Sequence, residues 1–214
     1  MAWRNRALPF GVARRAAIAS VPRVSPTPLI VADLACRRGD RLIFAGVSFQ
    51  VEPGGALHLE GPNVSGKSSC LRLLAGLLTP EAGRITGNEA RAYLGHDVAL
   101  KPRMTLHTEL SHWARLDGGL DRLPAAMAAT NVTALAEVPC KHLSSGQRRR
   151  AGLARVIASG APLWLLDEPT AGLDTASAAL LAEAMAAHRA AGGMVVAAVH
   201  GDIGLAAPQV VRLG

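Results

Sequence analysis

The chain has 214 residues, half of them hydrophobic and 3% aromatic, enough for one sizeable aliphatic core and too few to promise two. Five of its 23 Lys and Arg residues, Arg4, Arg6, Arg14, Arg15 and Arg23, precede the first acid, Asp33, which leaves 18 basic against 16 acidic side chains in a body that is nearly neutral. Such a body with so few aromatics excludes a broad phosphate-backbone face and a base-stacking platform, and with them nucleic acid as a partner.

Residues 1–27 are rich in Arg, Ala and Pro and lack the apolar core and small-residue cleavage site of a secretory signal, so a disordered extension is expected. Their acid-free, Arg-rich composition also fits an organellar transit peptide, and an upstream start codon would leave the same segment. From Pro28 short β-type runs alternate with helical patterns, the mark of a mostly parallel sheet flanked by helices. The predicted strands are Leu29 to Cys36, Leu42 to Val51, Ala56 to Glu60, Arg91 to Leu94, Leu163 to Asp167, Met194 to Val199 and Val210 to Leu213. Between about 105 and 159 helix follows helix, punctuated by Gly118, Gly119, Pro124 and Pro139, which predicts a helical subdomain inserted into one domain spanning 28–214. Cys36, Cys70 and Cys140 form no CxxC pair and read as buried, inert thiols in a reducing compartment. No stretch offers the roughly 18 charge-poor apolar residues of a membrane span, so any membrane role has to pass through a partner.

After the strand Ala56 to Glu60 comes GPNVSGKSS: Gly61, Pro62, Asn63, Val64, Ser65, Gly66, Lys67, Ser68 and Ser69. An apolar helical run follows, so this is a phosphate-binding loop in its required strand–loop–helix setting. Glycines let backbone N–H groups turn inward around phosphate oxygens at the positive end of the helix. Lys67 reaches the β and γ phosphates of ATP, and the Ser68 hydroxyl ligates Mg2+. Val64 stands where many such loops have glycine, and a β-branched residue is strained there if the position needs positive φ. PLWLLDEP, residues 162–169, is an apolar strand ending in two carboxylates: Asp167 fits the magnesium-organising role and Glu168 the base that orients the attacking water.

LSSGQ, residues 143–147, stands 20 residues before Asp167, and with it the chain resembles the ABC ATPases. Ser144 is placed to cap a helix whose positive end faces an anion. The resemblance implies that Ser144, Ser145, Gly146 and Gln147 face the γ-phosphate held by a second copy, so that a homodimer sandwiches two ATP molecules. It also likens AGLD, residues 171–174, to the D-loop, and His200 to the catalytic switch histidine. Arg38 aligns with the adenine-stacking aromatic, where a guanidinium can stack instead. His96 takes the place of the Q-loop glutamine and is a third candidate beside the metal. The fold implied is an α/β P-loop NTPase core with a mostly parallel sheet, an N-terminal antiparallel β part and the inserted helical subdomain.

The RRGDRLIFAGVSF and LGHDVALKPRMT segments resemble more narrowly the ATP-binding subunits of haem exporters in cytochrome c biogenesis. That resemblance implies integral membrane subunits of a cytochrome c maturation complex as partners. It implies a peripheral position on the cytoplasmic face of the bacterial inner membrane, or the matrix face in a mitochondrion. Another small-substrate ABC transporter would share every catalytic motif; a non-transport ABC ATPase would bring tandem cassettes, a coiled coil or zinc cysteines. His96, His107 and His112 lie close in sequence, but His107 and His112 are five apart and off one helical face, so they are not read as haem ligands.

Overall fold

The computed structural model describes residues 27–87, 90–199, 201 and 203–214. Two sheets form. One is antiparallel, with β2 (Arg41–Val51) and β4 (Ala82–Thr86) on either side of β1 (Leu29–Arg38). The other is parallel throughout, in the order β5 (Arg91–Leu94), β6 (Leu163–Asp167), β7 (Met194–Ala198), β3 (Ala56–Glu60), β8 (Gln209–Arg212).

The parallel sheet is covered on both faces, so its central strands read as unbroken apolar runs: every residue of β6 and of β7 is buried. The period-two alternation of a strand divides them between two cores. Leu163 and Leu165 of β6, with Met194, Val196 and Ala198 of β7, meet Leu71 and Leu74 of α1 (Lys67–Leu74) and the antiparallel sheet. Trp164, Leu166, Val195 and Ala197 turn the other way, onto Leu181 and Met185 of α5 (Thr175–Ala190).

Between β5 and β6 lie α2 (Leu106–Leu116), α3 (Leu123–Ala129), two short 3-10 turns and α4 (Ser145–Ser159), packed round a third core that includes Leu106, Leu110, Met127, Val132 and Ala154. Thr105 caps α2 by accepting from the Thr108 amide. The end of α4 is closed by Gly160 in left-handed conformation and by Arg122, whose guanidinium donates to the carbonyls of Ala158 (2.8 Å), Ser159 (2.8 Å) and Gly118 (3.2 Å). Helix C-terminal carbonyls have no partner within the helix, and a cation is the favoured one.

Strand β4 is the element that sequence patterning does not predict. Its five residues, AGRIT, have only Ile85 in part buried, and the strand owes its place to antiparallel pairing with β1. The three cysteines are free and buried, and burial pushes the Cys70 thiol up to about 12, which leaves it inert as a nucleophile. Among the described residues no helix is long and apolar enough to cross a membrane.

Candidate nucleotide site

The site is assembled where the parallel strands end, at the mouth common to sheets of this kind. β3 delivers the loop 61–66, and α1 leaves from it. Gly61 has φ 145° and Gly66 φ 102°, and each also lies against a neighbour too closely for a side chain. A Cβ on Gly61 would stand 2.2 Å from the Leu213 carbonyl oxygen, and one on Gly66 would stand 2.6 Å from Ile43 of β2. Thus the end of β8 floors the loop, the antiparallel sheet overhangs it, and Gly214 comes up beside Pro62. Val64, 87% exposed, has φ 64°, so the β-branched residue does hold the left-handed backbone that glycine would favour.

Lys67 is buried, and its ammonium donates to the carbonyls of Gly61 (2.6 Å) and Pro62 (3.1 Å), which centres a positive charge inside the loop. α1 has no side-chain cap and no acid in its first turn, the condition in which helix N–H groups and their partial charge attract an anion. Ser68 Oγ donates to Asp167 Oδ1 at 3.0 Å across 99 positions of sequence. Asp167 is 2% exposed, and its Oδ2 is buried without a hydrogen-bond partner, as is Ser65 Oγ. An orphaned carboxylate oxygen beside a hydroxyl is a costly arrangement. It fits a divalent cation, which Ser68 and Asp167 would hold.

Glu168 follows with φ 49°, its amide bonded to the Ala198 carbonyl at 2.8 Å, so the carboxylate-bearing turn is anchored to the end of β7. His200, two residues beyond β7, lies outside the described residues. Arg38 is exposed at the end of β1, paired with Arg41, while Phe44 two steps along the same ladder packs on Gly66.

The signature residues open α4. Ser144 and Gln147 cap each other reciprocally at the start of α4: Ser144 Oγ accepts from the Gln147 amide at 3.2 Å, and Gln147 Oε1 accepts from the Ser144 amide at 2.8 Å. Ser145 and Gly146 are left as the first-turn residues outside that box. The near neighbour of Gly146 is the Gly172 carbonyl, in the AGLD turn. Asp174 of that turn caps α5, and hydrogen bonds from Ser177 hold its carboxyl below the usual carboxylate range. The structure therefore joins the phosphate loop to Asp167 through Ser68, and Ser144 to Gln147 to the AGLD turn that follows Glu168.

His96 is exposed on the loop after β5, and its carbonyl accepts a bond from Arg149. Among the described residues no group of three or more His, Cys, Asp or Glu is placed to hold a metal by itself. Motif reading passes over Arg149 and Tyr93. Burial pulls the Arg149 guanidinium below its ordinary value, and the charges of Asp167, Glu168 and Asp97 oppose that shift. The buried Tyr93 hydroxyl lies near Asp167 and Arg72, and burial raises its pKa.

Residues 44–171 match the model of the ABC transporter family. The chain belongs to that family. As an ABC ATPase its activity is ATP hydrolysis coupled to transport, and it binds ATP. It is 52% identical over 194 residues to the cytochrome c biogenesis ATP-binding export protein CcmA of Rhodospirillum rubrum, covering 85% of this chain and 83% of that one. The protein of the same name from Paramagnetospirillum magneticum is 48% identical over 85% of this chain and 91% of its own. Among solved structures, the ATP-binding subunit of an ABC transporter superposes with a TM-score of 0.74 at 25% identity, over 81% of this chain and 80% of that one. A bacterial Atm1-family ABC exporter with ATP bound superposes with a TM-score of 0.78 at 22% identity, over 92% of this chain and 39% of that one. The latter likeness speaks to the fold of this ABC ATPase alone.

Proposed function

We propose that this ABC ATPase drives the export step of c-type cytochrome biogenesis, as a pair of copies docked on integral membrane subunits that release haem towards apocytochrome c. The observation that carries the reading is the division of the site. Ser68 of the phosphate loop bonds Asp167, whereas the signature turn, at the start of α4, packs on Gly172 of the AGLD turn that follows Glu168. One chain holding the loop and a second supplying Ser145 and Gly146 to the γ-phosphate complete the site twice over, in a symmetric dimer.

In this reading Lys67 leaves the Gly61 and Pro62 carbonyls for the β and γ phosphates, and loop amides wrap the phosphate oxygens. Ser68 and Asp167 would hold Mg2+. When bound, the ion neutralises charge between the β and γ phosphates. Glu168 orients the attacking water and takes its proton. Arg38 stacks on the adenine by its guanidinium plane. In this reading the complex lies on the cytoplasmic face of the bacterial inner membrane, with passage across it supplied by the integral subunits.

Deletion and complementation test this. Removing the gene is expected to abolish haem-stained c-type cytochromes and spare b-type ones, with rescue by the wild-type chain and none by Glu168→Gln. Unaltered c-type cytochromes after deletion would overturn the assignment to this pathway, and rescue by Glu168→Gln would overturn the base.

A further inference from the structure

Arg149 is 4% exposed, a rare place for a guanidinium. Its donors are directed at backbone: Nη1 donates to the Gly95 carbonyl at 2.7 Å and Nη2 to the His96 carbonyl at 2.9 Å. Both carbonyls belong to the loop that leaves β5, and Arg149 belongs to the first turns of α4, whose start carries the Ser144–Gln147 capping box. One turn further, α4 is held to the same segment by packing. A Cβ on Gly152 would stand 2.6 Å from Leu94 and 3.1 Å from Val98, an approach that any side chain would open.

A planar fork on two successive carbonyls fixes both distance and orientation, which a single bond does not. We infer that Arg149 is a positioning residue that joins the His96 loop and the signature turn into one rigid lever. A shift of that loop, imposed by a membrane subunit, is delivered to Ser144–Gln147 instead of being absorbed between them. The grip is on backbone, so it does not depend on which side chain position 96 carries. That explains how a histidine can stand in a glutamine's place with the linkage preserved. The inference rests on the functional reading above, in which the signature turn engages ATP across the dimer.

The test uses the ATPase purified with its membrane subunits in lipid, as wild type, Arg149→Lys and Arg149→Met. Lysine keeps the charge but its one ammonium cannot hold both carbonyls in the fork geometry. In both variants the affinity of the separate ATPase subunit for ATP is expected to stay at the wild-type value, because the phosphate loop is untouched. The kcat is expected to fall about 10- to 100-fold, with loss of the acceleration conferred by the membrane subunits and no rescue by lysine. Wild-type kcat and acceleration in Arg149→Lys would overturn the inference. So would equal losses in the assembled and isolated protein with the separate subunit's ATP affinity and Tm changed in parallel, the pattern of a merely structural residue. Should Arg149→Met fail to fold, Arg149→Lys carries the comparison alone. Glu168→Gln, run alongside, separates the two ideas: its retention of turnover strikes at the site assignment, whereas a dead Glu168→Gln beside normal Arg149 variants strikes at the lever only.

Discussion

Two residues of the nucleotide site hold left-handed backbone without being glycine, Val64 at φ 64° and Glu168 at φ 49°. For an L-residue that conformation costs about 1–2 kcal/mol, and such strain gathers where a functional geometry is imposed by the surrounding fold. At Glu168 the turn is held by the bond of its amide to Ala198 and by burial of Pro169 behind it. At Val64 no packing repays the strain, since the side chain is 87% exposed. Val64→Gly relieves the strain and loses about 0.5–1 kcal/mol to the greater freedom of glycine in the unfolded chain. The expected outcome is a net gain of up to about 1 kcal/mol in urea unfolding. A loss of stability would show that the valine makes a contribution its exposure conceals.

Among the elements, α4 links the most functions: capping box at one end, Arg149 in its first turns, Arg122 and Gly160 at its close. A hydrogen bond from a charged donor contributes about 1.5–3 kcal/mol. Arg122→Ala, which takes donors from Ala158, Ser159 and Gly118 together, is therefore expected to destabilise the protein by about 2 kcal/mol in urea unfolding, with hydrogen exchange at the end of α4 accelerated more than at its start. Equal acceleration along the helix would mean that Arg122 acts on the whole packing and not on the cap. Helix α4 also shows where sequence reading stops. Its buried residues include Arg149, Gly152, Leu153 and Val156, the i, i+3, i+4, i+7 stripe of an amphipathic helix, so an inward position for Arg149 is compatible with spacing. The run RRR at 148–150 hides it, because three like residues advertise a solvated charge cluster and only the turn of the helix separates the inner one. The strands of the parallel sheet were legible from β-branched and apolar runs ending in Gly or acid, whereas β4 was not, being short, mostly exposed and dependent on β1 for its existence. The contact of Ser68 with Asp167 spans 99 positions, and motif resemblance anticipates that meeting where spacing alone cannot.

At the scale of the whole molecule, one face of the parallel sheet carries a group that answers to acid. His188 of α5 stacks on Trp164 of β6 at 3.9 Å between ring centres and bonds the Pro162 carbonyl at 3.2 Å. Its burial lowers its pKa to about 4. The unfolded chain therefore takes up this proton near pH 6.5, and the folded one only near pH 4, so the stability tied to neutral His188 is lost as pH falls through that window. Between pH 7 and 5 the expected loss is about 2 kcal/mol, measured by urea unfolding, and His188→Gln should lack that share of the slope. The same slope in the variant would place the acid sensitivity elsewhere. A different use follows from the way β8 floors the phosphate loop. Gly214 stands 3.5 Å, by its would-be Cβ, from Pro62, so whatever is joined behind it emerges at the nucleotide's doorstep. An environment-sensitive fluorophore attached there would report nucleotide arrival and departure in stopped flow, with every loop residue left as nature has it.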